Sequence, residues 1–477
     1  MHQTIDTESE FLSLHEICQV GDPPSIDSSE LVHARYYFSL NMYELSLKLY
    51  KNCFSGLDYE NPSLSHAAIS NNLAVVHEKL GNYQEAKNCF KTSLIIMQKL
   101  PEENLEQKIR VSLGLATVTT KLAQYDEAQI YLDKAWDLLS SIKESHSDLM
   151  ITFLETRGSL LRAISEYEEG YKDHQKAIEL HIAKFGNDSI ILGPLYENLA
   201  FSLKLLGRFV EALQVCRKAQ AIYSQKFGDL PPNAITLYCL LAFLQAMLGD
   251  TLSATESIDI SLRTFKKYFS TSNHLDYAQI EFVYGMIFFC QQRGDKAKEK
   301  MSNALEIYSK VGLQDHPEVT NICNTLGLVY ASLGAFEEAI RIVQKGEAII
   351  EKLFGKDHPK ASGCHNSLGL ICIKKNDFFQ GFQHYMKCLR LLTKKFGVVH
   401  PYIGNILNNV FGLLKWNGVL SLSSTSLINK TMMIYKHYYG NEHKFYTRNK
   451  DRIFHVEKEK DLKHLDRLDS SFKHNPV

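Results

Sequence analysis

A dominant sign of charge is what this chain most clearly lacks: 53 Lys and Arg stand against 54 Asp and Glu, leaving a formal net charge of −1. Such a balance creates no overall field for nucleic acid or an anionic membrane. The Lys runs (Lys296–Lys300, Lys374-Lys375, Lys394-Lys395) are short and mixed with acids, as on a solvated helix face. Long hydrophobic runs are missing too. No stretch approaches the ~20 apolar residues of a membrane span, and Met1-His2-Gln3-Thr4-Ile5-Asp6 has neither the basic start nor the apolar run of a secretory signal. A cytoplasmic chain without membrane insertion is the expectation. The ten cysteines include no C-x-x-C pair and no zinc spacing; Cys53, Cys216 and Cys388 are expected as small buried hydrophobes in a reducing compartment. Phosphate-cradling, dinucleotide-binding, H-E-x-x-H and G-x-S-x-G motifs are all absent. No catalytic residue, cofactor or metal is therefore expected, and no enzyme. The nineteen histidines are scattered, and His77 and His174 read as core residues rather than ligands.

What the chain has is periodicity. Ser46, Ala86, Ala128, Gly170, Ala212, Ala254, Ala297, Ala339, Gly381 and Ser423 follow one another at steps of 40 to 43 residues. A second ladder runs twelve residues upstream: Ala34, Ala74, Ala116, Gly158, Ala200, Ala242, Gly285, Gly327, Gly369 and then Phe411. A third runs seven downstream: Cys53, Ser93, Ala135, Ala177, Ala219, Ser261, Ala304, Gly346, Cys388 and then Lys430. Small residues are required where helix axes come closer than the usual separation of about 8–10 Å, and enlarging one costs about 1–3 kcal/mol. Apolar residues between the rungs fall at helical spacing, as in Leu73, Val76, His77 and Leu80, then Ala86, Phe90, Ser93, Leu94 and Met97. The break between stripes is Leu80-Gly81-Asn82-Tyr83, repeated as Leu122-Ala123-Gln124-Tyr125, Leu206-Gly207-Arg208-Phe209 and Leu333-Gly334-Ala335-Phe336. Glycine there supplies the positive φ that ends a helix. Each repeat thus reads as two antiparallel helices that bury their stripes only by stacking on neighbours.

A second punctuation separates the repeats: Lys184-Phe185-Gly186, Lys226-Phe227-Gly228, Leu353-Phe354-Gly355, Lys395-Phe396-Gly397 and Tyr438-Tyr439-Gly440. His316-Pro317, His358-Pro359 and His400-Pro401 follow junctions of this kind, with Pro suited to the first turn of the next helix. The adjacent Asp315 and Asp357 resemble acid–histidine pairs, but a capped turn that recurs with the repeat is the reading adopted.

The three ladders, with the Leu-Gly-x-Tyr/Phe turn, resemble the tetratricopeptide pattern. The 42-residue step with F-G-x-x-H-P between repeats is similar to the longer-helix subgroup found in kinesin light chains. The resemblance covers Ser29 to Phe445 and implies an all-α fold: a right-handed α-solenoid superhelix of about ten helix pairs, with repeats near 29–66, 67–108, 109–150, 151–192, 193–234, 235–277, 278–319, 320–361, 362–403 and 404–445. Residues 1–28 form an extension with Phe11, Leu14, Ile17 and Cys18 at helical spacing before Gly21-Asp22-Pro23-Pro24. They do not supply the heptads that join a kinesin light chain to its motor, so a kinesin subunit is not expected. Residues 446–477 read as a charged amphipathic helix or tail, which caps the last repeat, occupies the groove or meets a partner.

The resemblance also implies a concave face lined by the first helix of each repeat. Inner positions there carry Asn72, Asn198, Asn321, Asn324, Asn366, Asn405, Asn408 and Asn409, and of these Asn72, Asn198 and Asn409 match the residue that related domains use to hold a peptide backbone. One carboxamide donates and accepts together; the other reading, polar decoration of a wet helix face, stays open. Phe243, Met247, Phe282, Met286 and Phe289 form an apolar inner group suited to anchoring a partner, with burial in the core as its alternative. The leading expectation is a non-catalytic adaptor that takes a protein or peptide ligand in this groove. A ligand-responsive sensor and a self-assembling structural protein, associating through the last repeat or tail, are the alternatives.

Overall fold

The computed structural model describes residues 28–55, 63–99, 104–142, 147–226, 230–416 and 422–439. The extension before Ser28 and the tail beyond Tyr439 lie outside them. The described residues form twenty helices and no strand: α1 (Ser28–Ser39) and α2 (Tyr43–Ser55), α3 (Leu64–Lys79) and α4 (Tyr83–Lys99), α5 (Leu105–Lys121) and α6 (Tyr125–Ser141), α7 (Ser147–Ala163) and α8 (Tyr167–Phe185), α9 (Leu192–Leu205) and α10 (Phe209–Lys226), α11 (Ala234–Leu248) and α12 (Thr251–Tyr268), α13 (Leu275–Cys290) and α14 (Gly294–Lys310), α15 (Pro317–Ser332) and α16 (Phe336–Phe354), α17 (Ala361–Lys374) and α18 (Phe378–Phe396), and α19 (Pro401–Trp416) and α20 (Leu422–Tyr439). Ten helix pairs match the ten repeats read from the ladders.

Two compact units divide the chain. The first holds the chain up to Leu203 with Glu211–Val283 and Ile307–Leu313; the second holds Lys204–Val210, Tyr284–Glu306 and the chain from Gln314 onward.

Packing explains each ladder. All rungs from Ala34 to Phe411, from Ser46 to Gly381 and from Cys53 to Cys388 are buried. Within a pair, the first two ladders face one another across the backbone: a Cβ on Gly170 would sit 2.8 Å from the carbonyl oxygen of Gly158, and one on Gly381 3.2 Å from that of Gly369. Where the upstream rung is glycine, a bulky side chain fills the space a Cβ would take. His174 does so at Gly158, Met301 at Gly285 and Tyr385 at Gly369. The third ladder tolerates polar atoms because they reach a carbonyl of the partner helix 26 residues earlier. Ser93 Oγ donates to Ala67 O at 2.6 Å, Ser261 Oγ to Ile235 O at 2.8 Å, and Cys388 Sγ to Ser362 O at 3.2 Å. In the tenth repeat Phe411 remains buried and Lys430 is exposed, and the helix pair forms despite both departures.

The turn within each of the first nine repeats has one backbone solution. Asn41, Gly81, Ala123, Ser165, Gly207, Gly249, Gln292, Gly334 and Asn376 all have positive φ, between 58° and 90°. Glycine was the expected marker, yet five of these nine residues carry side chains in a left-handed conformation that disfavours them.

Junctions between repeats are capped turns, as read from the sequence. Gly186, Gly355 and Gly397 take positive φ. The His-Pro histidines act as backbone acceptors: His316 Nδ1 receives the Glu318 N–H at 3.2 Å, and His400 Nδ1 that of Tyr402 at 3.2 Å. The His358 and His400 rings stack on Phe354 and Phe396, centroids 4.3 and 4.4 Å apart. Asp315 pairs with Lys352 at 2.5 Å.

Each compact unit also closes contacts between distant repeats. In the first, the corner ahead of α13 returns to α2 and α3: Tyr43 meets Phe269 with centroids 6.3 Å apart, and His274 Nε2 lies 3.4 Å from the Lys79 carbonyl. In the second, Tyr402 OH donates to the Lys204 carbonyl at 3.4 Å, and Pro401 covers Gly207. The two contacts span similar sequence separations, 195 and 198 residues.

Candidate functional site

The ladders define equivalent places along every first helix. Three residues before the upstream rung stand Asn71, Glu155, Glu197, Phe282, Asn324, Asn366 and Asn408; two before it stand Asn72, Asn198 and Asn409.

Side chains at these two places bond across the boundary between repeats. In the first compact unit, Asn198 Nδ2 on α9 donates to Glu155 Oε2 on α7 at 2.5 Å. In the second, Asn409 Nδ2 on α19 donates to Asn366 Oδ1 on α17 at 3.0 Å. Both bonds span 43 residues, one repeat plus one residue, so they are the same joint made twice. One N–H of each asparagine is thereby spent on the neighbouring repeat.

The other asparagines are placed variously. Asn72 is 1% exposed within α3, whose residues from Ser65 to Glu78 are all buried, and its Oδ1 receives Asn71 Nδ2 at 3.4 Å. Asn321 is exposed and donates to Glu318 on its own helix at 2.9 Å. Asn405 Oδ1 accepts the Tyr435 hydroxyl at 2.7 Å. Asn324 and Asn408 are half-buried, and Asn324 Oδ1 is buried with no hydrogen-bond partner among the described residues.

The apolar group is divided by the boundary between the compact units, which falls inside α13 between Val283 and Tyr284. Phe243, Met247 and Phe282 belong to the first unit and are half-buried; of the two in the second, Phe289 is half-buried and Met286 only 8% exposed. Met286 is thus core-like, the alternative left open in the sequence reading.

Two residues that the sequence reading passed over have the most unusual chemistry. Glu155 and Glu197, each 8% exposed, occupy the same place in consecutive repeats. Burial pushes both carboxyls up to about 8. At Glu155 the Asn198 amide and Arg162 oppose the rise and Asp173 adds to it. At Glu197 the Thr236 hydroxyl opposes it, Asp276 adds to it, and Arg162 and Lys79 also oppose it. Arg162 stands over the Phe201 ring, 5.2 Å from its centroid, and donates to the Asn198 carbonyl at 3.5 Å. Nearby, Lys121 pairs with Glu78 at 2.9 Å. Glu155 Oε1 is buried and has no hydrogen-bond partner among the described residues. The register of the ladder was the available signal: both glutamates sit at the place where Asn324, Asn366 and Asn408 had been singled out.

His174 is a core histidine as expected: it is fully buried and its Nδ1 lies 2.9 Å from Ser202 Oγ. Cys53, Cys216 and Cys388 are buried, the small core residues the sequence reading expects. Among the described residues no group of three or more His, Cys, Asp or Glu is placed to hold a metal ion, and no helix is long and apolar enough to cross a membrane.

Comparisons with known proteins agree with this architecture. The tetratricopeptide repeat model matches residues 65–141 and 276–352, so these two segments carry tetratricopeptide repeats. No curated protein matches. Among solved structures, a Rap protein complexed with competence and sporulation factor is 11% identical, with a TM-score of 0.54 over 83% of this chain and 98% of that one. A putative kinesin light chain repeat protein of Podosopora anserina is 17% identical, with a TM-score of 0.33 over 43% of this chain and 98% of that one. A chain of the APC/C hetero-tetramer Cut9-Hcn1 is 15% identical, with a TM-score of 0.37 over 89% of this chain and 83% of that one.

Proposed function

We propose that this chain is a non-catalytic interaction scaffold that holds an extended peptide of a partner protein along the first helices of its repeats. The observation that carries the reading is a pair of buried polar atoms at one register place: Glu155 Oε1 in the first compact unit and Asn324 Oδ1 in the second, each three residues before its rung and without a hydrogen-bond partner among the described residues. A buried polar atom left unsatisfied costs about 1–3 kcal/mol, and a peptide supplies partners. An extended backbone suits such sites because it offers both N–H and C=O groups at regular intervals whatever its side chains. Half-buried Phe243, Met247 and Phe282 in the first unit add adaptable apolar contact. The Rap protein of similar fold was solved with competence and sporulation factor; binding of a peptide-like ligand by the present chain is a proposal that this precedent encourages.

Selection of randomised displayed heptapeptides against the purified chain tests it. The expected result is an enriched family of sequences whose affinity, measured by fluorescence anisotropy, falls at least tenfold in Asn198→Ala or Asn324→Ala. Helicity by circular dichroism should be retained in both variants. Failure to enrich any sequence, or peptides indifferent to both substitutions, would contradict the proposal.

A further inference from the structure

The second helix of the ninth repeat, α18, carries an apolar stripe on its outside. Phe379, Phe382 and Met386 are 72%, 37% and 44% exposed, and their spacing of three and four residues puts them on one helical face. The other repeats show that stacking does not require them. In the first eight repeats the place of Met386, five residues after the rung, is polar throughout, from Lys51 to Gln344. The place of Phe379, two before the rung, is Asp, Glu or Gln in all of these but two, where Val210 and Leu252 stand. No other repeat has a large apolar residue at both places. Clustered exposure of this kind marks an interaction surface.

The same face changes chemistry along its length. Beyond Met386, Arg390 and Lys394 follow at steps of four residues, both exposed and in no ion pair among the described residues. Lys387 beside them reaches Glu347 at 3.8 Å. From Phe378 to Phe396 the helix contains no Asp or Glu. The face from Phe379 to Lys394 is about 22 Å long, apolar over its first half and cationic over its second.

We propose that this exposed face of α18 docks a helix of a partner protein, one with apolar residues at matching spacing followed by Asp or Glu. The site lies beyond the first-helix peptide reading and is independent of it. A helix is the fitting shape. An extended chain laid on Phe379 and Met386 would leave its N–H and C=O groups unpaired, whereas a helix satisfies its own and packs ridges into grooves. Arg390 and Lys394 set the charge, since an acidic segment pairs with them and a basic one is repelled. A second copy of α18 has no acid to offer, and the segment beyond Tyr439 holds nine Lys and Arg against seven Asp and Glu. The two chemistries are segregated along the axis. A helix lying on an anionic bilayer instead carries its bases on the opposite face, along its whole length.

The test screens the full chain against a displayed library built on a single helix with one face randomised. Enriched sequences should carry apolar residues at spacings of three and four, with Asp or Glu beyond them. By fluorescence anisotropy, the corresponding synthetic peptides should bind at least tenfold more weakly to F379E/M386Q. That variant installs the residues of the eighth repeat, Glu337 and Gln344, at exposed places, and an acid suits the first turn of a helix, so it is expected to fold. R390E/K394E should weaken binding by a similar factor, and peptides with Lys in place of their acids should recover it. Asn198→Ala and Asn324→Ala should leave this binding unchanged. Failure to enrich any helix, or binding indifferent to F379E/M386Q, would overturn the proposal and leave the first-helix reading standing. Three other occupants would overturn it as well, each recognised by its loss in F379E/M386Q. They are vesicles of phosphatidylserine and phosphatidylcholine that sediment with the chain, a dimer in sedimentation velocity, and crosslinks within one chain from Lys394 to lysines beyond Tyr439.

Discussion

Asn409 donates its carboxamide N–H to Asn366 Oδ1 at 3.0 Å across the boundary between consecutive repeats. Asn198 makes the corresponding bond to Glu155 one repeat plus one residue back along the chain. A position matched to peptide gripping therefore also serves as a joint between repeats. A double-mutant cycle on Asn366→Ala and Asn409→Ala should show a coupling free energy of about 0.5–1.5 kcal/mol, read from urea-unfolding midpoints. Strict additivity would mean the bond contributes nothing to stacking.

The turn within the repeat offers substitutions of opposite sign. Ala123 has φ 58° and Gly334 φ 81°, with nothing within 4 Å of the place a Cβ would occupy at Gly334. Ala123→Gly should raise stability by about 0.5–1 kcal/mol, the left-handed penalty of about 1–2 kcal/mol being partly offset by glycine's greater unfolded-state entropy. Gly334→Ala should lower it by about the same amount. Thermal melts of the two variants check this; equal shifts of one sign would contradict the backbone explanation.

Rung glycines should be intolerant where helices touch. A Cβ on Gly158 would lie 2.7 Å from His174 Nε2 and 3.1 Å from the Gly170 carbonyl, whereas Gly412 on α19 has nothing within 4 Å. Gly158→Ala should cost about 1–3 kcal/mol by overpacking, and Gly412→Ala should gain about 0.5–1 kcal/mol from helix propensity. Chemical denaturation of both variants distinguishes a contact effect from a general response to glycine replacement.

Glu155 gives stability a particular pH dependence. Burial raises its folded pKa from 4.5 to about 8, so the folded state holds the proton more tightly than the unfolded one. The resulting stabilisation is fully present below pH 4.5 and is lost as pH rises through 8. Glu155→Gln escapes that loss. The melting temperature of the variant relative to the parent should climb between pH 5 and 8 and level off above it. A pH-independent difference would show that the carboxyl is ionised in the folded chain.

The helix pairs were legible in the sequence because small residues recur wherever two backbones meet, and Gly158, Gly170, Gly369 and Gly381 can be read as contacts from spacing alone. The five non-glycine turn residues were less visible, since Ala123, Ser165 and Gln292 do not announce a positive φ; only their register does. Ser93 and Ser261 counted as small rungs, and nothing in their spacing revealed that each hydroxyl reaches a carbonyl 26 residues earlier. The inner face was read by residue type, which found Asn198 and Asn409 but not Glu155, an equally placed residue of different chemistry. Burial was harder still: Asn72 and Met286 share the helical phase of inner residues, yet their enclosure depends on neighbouring elements that spacing within one helix cannot specify.

The central claim, that a peptide lies along the first helices, is tested most directly by photo-crosslinking. A selected peptide carrying a central benzophenone should form adducts, mapped by mass spectrometry, on first-helix residues such as those of α7 and α9. Adducts confined to second helices such as α8 and α10 would contradict the account.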